Sequence, residues 1–162
     1  REARAVGAFC RRGVACDVRR TKRAGHAAEL AVGARAAGHD AVFTLGGDGT
    51  AMEVLGALAG SGLPVGIVPG GTGNLVARTL GIPLDAARAV PALLDGALAE
   101  VDLGRVGATG VDGAGGAARH FAFAAGVGID ARMIEATPTL WKRRLGVLAY
   151  ALTASRAMLP PE

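Results

Sequence analysis

Apolar positions along this chain change their period several times, and each change marks an element. Ala3, Val6, Phe9 and Cys10 recur at helical spacing, which predicts a helix over Glu2 to Arg12, and Val14 to Val18 then reads as a short strand. Helical spacing returns from Gly25 to Ala37. The run "DAVFTL", Asp40 to Leu45, has the pattern of a buried strand. A helix is predicted from Thr50 to Ala59, with Met52, Val54, Leu55 and Leu58 inward, and a strand from Val65 to Val68. Helices over Asn74 to Leu80 and Asp85 to Leu98 complete the series. Strands alternating with helices over short connections predict an α/β fold, a parallel sheet with helices on its faces.

After Glu100 the texture changes. Val101 to Val106 and His120 to Val127 are strand-like and joined by a glycine-rich stretch, which predicts a hairpin instead of another crossover. The expected division is therefore an α/β lobe over residues 1–100 and the start of a β-rich lobe over 101–162. No internal repeat is visible. The chain opens at Arg1 without an initiator Met and stops at Pro160-Pro161-Glu162, so it reads as a piece of a longer protein.

Composition narrows the class. With 162 residues, 51% apolar and 20% charged, the chain can bury a core and remain in water. Its longest uncharged span, Val54 to Ala77, is broken by Pro64, Pro69 and many glycines, so no transmembrane segment is expected. The N-terminus lacks the order of a signal peptide. Cys10 and Cys16 have no zinc spacing and read as reduced cytosolic thiols, giving a cytoplasmic expectation. A net charge of +4 suits an anionic partner. Scattered basic residues and 4% aromatics argue against nucleic acid as that partner.

Two glycine clusters carry the chemistry. "LGGDGT", Leu45 to Thr50, follows one predicted strand, and "VPGGTGN", Val68 to Asn74, follows the next. In the first, Gly46, Gly47 and Gly49 permit positive φ and close approach, and backbone N–H groups at the helix start attract phosphate. Thr50 fits a helix cap, and Glu53 three residues later fits a capping box. A lone cluster of this kind is also explained by a tight turn with no ligand. Asp48 weighs the other way, because a carboxylate beside a phosphate is repulsive without a cation between them, so magnesium is expected at Asp48, perched on it directly or through water. The second cluster repeats the plan at Gly70, Gly71, Thr72 and Gly73, with Asn74 opening a helix. Two such turns at the ends of neighbouring strands would face one crevice, where open α/β sheets bind ligands. No lysine follows the glycines as in a Walker loop, and no spacing fits the dinucleotide fingerprint.

On these residues, "GGDGT" with a downstream "PGGTGN", the chain resembles the diacylglycerol kinase catalytic domain family, which includes bacterial lipid kinases and sphingoid-base kinases. "TKRAGHAAELA" from Thr21, "VDLGRV", "FAFAAGVGIDA" and "TPTLWKRRLGVLAYALTASRAML" extend the likeness over most of the chain. The resemblance implies ATP contacts at Thr21, Gly47, Asp48, Gly49, Thr50, Ala51, Met52, Glu53 and Thr72, joined by Gly46, Gly71, Gly73 and Asn74 from the two turns. It ties Asp102 and Lys142 to a structural or metal-linked polar network. Met52 departs from the Asn of many members and Leu75 from their Asp. The family's opening strand and Asn-Pro-x-Ser-Gly loop are expected before Arg1. Its Asp-Gly-Glu segment, with the proposed general base and further magnesium ligands, is expected beyond Glu162.

The function so implied is ATP-dependent phosphorylation of a lipid hydroxyl, on diacylglycerol or a related lipid, with magnesium. Phosphoryl transfer needs alignment and charge neutralisation more than covalent chemistry. Asp112-Gly113 reads as a hairpin turn, and His26, His39 and His120 as surface or capping residues instead of bases. Thr139 to Leu159 carries a leucine-rich helical pattern with Trp141, Lys142, Arg143 and Arg144 near its start; the cations suit an anion such as ATP or a lipid headgroup, while a core-facing helix with a solvated basic end is the favoured reading for Arg143 and Arg144, and ordinary packing for Trp141. Access to a lipid substrate from the cytoplasmic side of the inner membrane surface follows as an expectation. NAD kinase, which shares the Gly-Gly-Asp-Gly-Thr turn, and a nucleotide-binding module without turnover are the alternatives. Oligomeric state is silent in the sequence.

Overall fold

The computed structural model describes residues 1–107 and 118–122, all within the compact unit Arg1–Phe123. Their element order is α1 (Glu2–Arg11), α2 (His26–Ala36), β1 (Val42–Gly46), α3 (Asp48–Ala57), β2 (Val65–Pro69), α4 (Leu75–Thr79), α5 (Ala86–Asp95), β3 (Gly104–Val106) and β4 (Arg119–Phe121). The α/β architecture expected from the alternating pattern is present. Strands β1 and β2 pair in parallel, Val42 opposite Val65 through Gly46 opposite Pro69.

Alternation along the two strands sorts their side chains onto two helical layers. Phe43, Leu45 and Val68 face α1 and α5, where Ala5, Ala8, Phe9, Ala86, Ala89 and Val90 are buried. Phe9 meets Phe43 edge to face, with ring centroids 4.7 Å apart. Gly66 lies beside Phe43 in the pairing and leaves room for that ring. Val42 and Val65 face α2 and α3 through Ala27, Ala31, Val54 and Leu58. Ile67 packs with Ala51, Val76 and Ala77. Val54 and Leu58 are buried as the helical spacing predicts, with Met52 and Leu55 partly covered.

Two short strands, β3 and β4, form the expected antiparallel hairpin, Gly104 opposite Phe121. It lies against α3. Ala122 joins the α3 cluster, and His120 stands where a side chain on Gly56 would go, 3.4 Å from that position. The expected glycine-rich connection, with Asp112 and Gly113, lies outside the described residues.

Val14 to Val18 is not a strand. A strand is a ladder of shared bonds, and among the described residues no strand pairs with this segment. Val14 packs against the α1–α5 core, while Cys16 and Val18 are exposed. What fastens the segment is Arg20, whose guanidinium forks onto Glu2 with bonds of 3.0 and 2.8 Å and holds that carboxyl below its ordinary range.

Helix α5 starts where Asp85 caps it. The Asp85 carboxylate accepts from the N–H groups of Ala87, at 3.0 Å, and Arg88, at 3.3 Å. Replacing Asp85 with Ala leaves both amides without a side-chain acceptor, and the expected loss is about 1 kcal/mol. Asp85→Asn keeps an acceptor and retains most of the stability. Denaturant titration of both variants checks this, and equal losses would show that the charge, not the cap, matters.

Candidate functional site

The in-register pairing of β1 and β2 ends at Gly46 and Pro69, so the two glycine clusters leave the sheet side by side. The Gly70 N–H donates to the Gly46 carbonyl at 2.7 Å. A Cβ on Gly70 would lie 2.9 Å from the Gly46 nitrogen, and one on Gly71 would lie 2.5 Å from the Gly47 Cα. These glycines are therefore required because one turn packs backbone to backbone on the other. Positive φ is not the reason: none of Gly46, Gly47, Gly49, Gly70, Gly71 or Gly73 is left-handed. The one left-handed residue of the two clusters is Asn74, at φ 51°.

Helix α3 begins at Asp48, two residues before the predicted start. Gly47 holds the N-cap position in extended conformation and brings no side chain to it. Thr50 is thus inside the first turn and is not the cap, and the expected capping box does not form. Its side chain instead crowds Gly46, where a Cβ would come within 2.8 Å of Thr50 Oγ1. The first amides of a helix have no partner inside it, and among the described residues no side chain caps those of α3. At the exposed Gly49, an added Cβ would meet nothing within 4 Å among the described residues.

Asp48 reaches away from its own helix. Its Oδ1 accepts the Val76 N–H at 3.0 Å, so the carboxylate of the first cluster caps the helix that follows the second. Its Oδ2 lies 3.1 Å from where a Gly73 Cβ would be, which keeps that position small. Among the described residues Oδ2 has no hydrogen-bond partner. Asn74 and Gly71 exchange two bonds of 2.9 Å, side chain to backbone in both directions, and lock the second turn. Thr72 is left exposed at its tip. Arg78, which the sequence pattern did not single out, donates from Nε to the Gly73 carbonyl at 3.0 Å. Its only advance signal is its place four residues after Asn74, one helical turn on.

The other residues expected at the site stand as follows. Ala51 is buried in the core, and its N–H is given to the Gly47 carbonyl at 3.2 Å. Met52 is half-buried against the α3–α4 cluster. Glu53 points back to α2, accepting the Gly25 N–H at 2.8 Å and the Ala27 N–H at 3.1 Å. Thr21 is exposed four residues before Gly25. Asp102 is exposed ahead of β3, and Lys142 lies outside the described residues, as do Trp141, Arg143, Arg144 and the rest of Thr139 to Leu159. His26 is the first residue of α2 and caps no helical amide; its Nδ1 accepts the Lys22 N–H at 3.0 Å in the turn ahead of the helix. His120 rests over Gly56, about 12 Å along α3 from Asp48 at the usual helical rise.

Among the described residues no three His, Cys, Asp or Glu side chains gather to hold a metal. Magnesium at this site fits Asp48 alone, through Oδ2 and with water as intermediary, since Oδ1 is engaged. No helix among the described residues is long and apolar enough to cross a membrane.

Residues 2–106 match the diacylglycerol kinase catalytic domain. No curated protein matches the chain. The match runs from α1 through β3 and takes in both glycine turns, and on it the chain belongs to the diacylglycerol kinase catalytic domain family, with a kinase-type domain.

Proposed function

We propose that this chain supplies the ATP-binding part of a lipid kinase that transfers the γ-phosphate of ATP to a lipid hydroxyl, with diacylglycerol or a related lipid as acceptor. Gly49 is the observation that carries the reading. Within a helix, glycine costs about 1 kcal/mol against alanine, and it is normally retained for a left-handed φ or for crowding. Gly49 has neither. Its neighbours Gly46, Gly70 and Gly71 are explained by packing among the described residues, whereas the open space at Gly49 is not, and we take it as room for a ligand. Uncapped amides and the positive end of the α3 dipole suit phosphate there.

The chain's residues would act by positioning. Amides of Asp48, Gly49 and Thr50 would hold phosphate oxygens, and Thr72 stands at the tip of the adjoining turn. Gly46, Gly71, Gly73 and Asn74 keep that turn rigid and close. Magnesium, when bound, neutralises phosphate charge, and Asp48 Oδ2 would orient its water shell. Asp48 Oδ1 meanwhile keeps the two turns in fixed relation through Val76. The acceptor hydroxyl must give up its proton to a base, which is expected outside the described residues, as is the lipid-facing surface.

Three outcomes are expected of the full-length protein. Gly49→Ala folds with unchanged or slightly raised melting temperature, yet binds ATP roughly tenfold to a hundredfold more weakly, because its methyl group would hold the phosphate off an amide and cost about one charge-assisted hydrogen bond. Calorimetric titration reads this, and undiminished affinity would remove the main support for the site. Asp48→Asn keeps an acceptor for the Val76 amide, so its melting temperature stays near wild type while turnover falls roughly a hundredfold or more. Wild-type rates in that variant would end the proposed role of the charge. Labelled ATP and magnesium supplied with diacylglycerol, a sphingoid base and NAD together should send label into the organic phase. Label confined to an aqueous NADP-like product would overturn the lipid assignment.

A further inference from the structure

We infer that Glu53 is a positioning residue that fixes the Thr21–Gly25 segment beside the site and makes no contact with the nucleotide. The inference rests on the ATP site proposed above, and it starts from how both carboxylate oxygens are used. Oε1 accepts from Gly25 and Oε2 from Ala27, in a half-buried position. Those donors are the N-cap and an early amide of α2, a helix whose own N-cap, Gly25 at φ 79°, has no side chain to offer. Glu53 therefore caps α2 from another element, and its charge complements the positive end of that helix.

Among the described residues the stretch ahead of α2 is otherwise held at its far end, where Arg20 bonds Glu2 of α1, and by bonds within itself. Lys22 donates to His26, and Arg23 pairs with Glu29 at 2.7 Å, both within the same stretch of chain. Among the hydrogen bonds of the described residues, those to Glu53 are what join the start of α2 to a different element. The element they reach is α3, whose first turn carries Asp48 and Gly49. Glu53 thus transmits the placement of the α3 start to a segment in which Thr21 is exposed and without a hydrogen-bond partner of its own among the described residues.

The test uses the full-length protein and Glu53→Gln. Glutamine keeps one acceptor oxygen and turns an NH₂ group on the second amide, so one of the two bonds is lost without loss of bulk. In the absence of ATP, hydrogen exchange at Gly25 and Ala27 should accelerate while β1 and β2 stay protected. The KM for ATP should rise roughly threefold to thirtyfold, the size of one helix cap, with kcat nearly unchanged. Adding Thr21→Ala to Glu53→Gln should cost no more than either change alone. Unchanged exchange together with a collapse of kcat and an altered magnesium requirement would overturn the inference and make Glu53 a direct ligand. Additive losses with Thr21→Ala, or accelerated exchange throughout the fold, would overturn it as well. Failure of the wild-type protein to bind ATP would instead sink the kinase reading, and the exchange data would still decide whether Glu53 holds α2.

Discussion

The site depends on one constraint, the parallel register that sets Gly46 opposite Pro69. Because both strands end at the same level, the chain leaves each at the same height, and the two turns must pass within backbone contact. Any side chain at Gly70 or Gly71 would occupy the other turn's backbone. A one-residue slip would exchange the two faces of one strand and move either Phe43 or Val68 away from α1 and α5. The register that builds the core and the register that joins the turns are therefore the same.

Within that frame, two carboxylates do similar work over longer distances. Asp48 and Glu53 both belong to α3, and each caps a different helix, α4 and α2 respectively. Helix ends carry unpaired amides that must find acceptors, and neither α4 nor α2 has an N-cap residue that supplies one from its own side chain. Helix α3 thus organises the starts of both its neighbours while its own start has no side-chain cap among the described residues. This uneven sharing of acceptors leaves the open end of α3 as the place where an external anion is best received.

Much of this was legible in the sequence. The periods of α1, α2, α5 and the β1–β2 pair were clear because each buries one face against a core, and burial imposes a period. The adjacency of the clusters followed from strand-helix alternation alone. What misled was local chemistry with two uses. Thr50 and Glu53 have the spacing of a capping box, yet the helix had already begun at Asp48, and Glu53 found amides 26 and 28 residues away. Asp48 likewise bonds Val76 across 28 residues. Partners so distant leave no periodic trace. Val14 to Val18 has strand-forming residues but no ladder neighbour among the described residues, and a pattern cannot reveal whether a partner exists.

The contact of α1 with α5 has a consequence for how this sequence can vary. Ala5 and Ala8 on one helix and Ala86 and Ala89 on the other are buried in one cluster where the two helices pack, so small side chains make up much of that layer. Truncation has little to remove there, while any longer side chain would force the helices apart or adopt a strained rotamer. Variation in this layer is bounded from above by volume: drift can replace Val90 or Leu94 with neighbours of similar size, but the alanine seam has a ceiling and almost no floor.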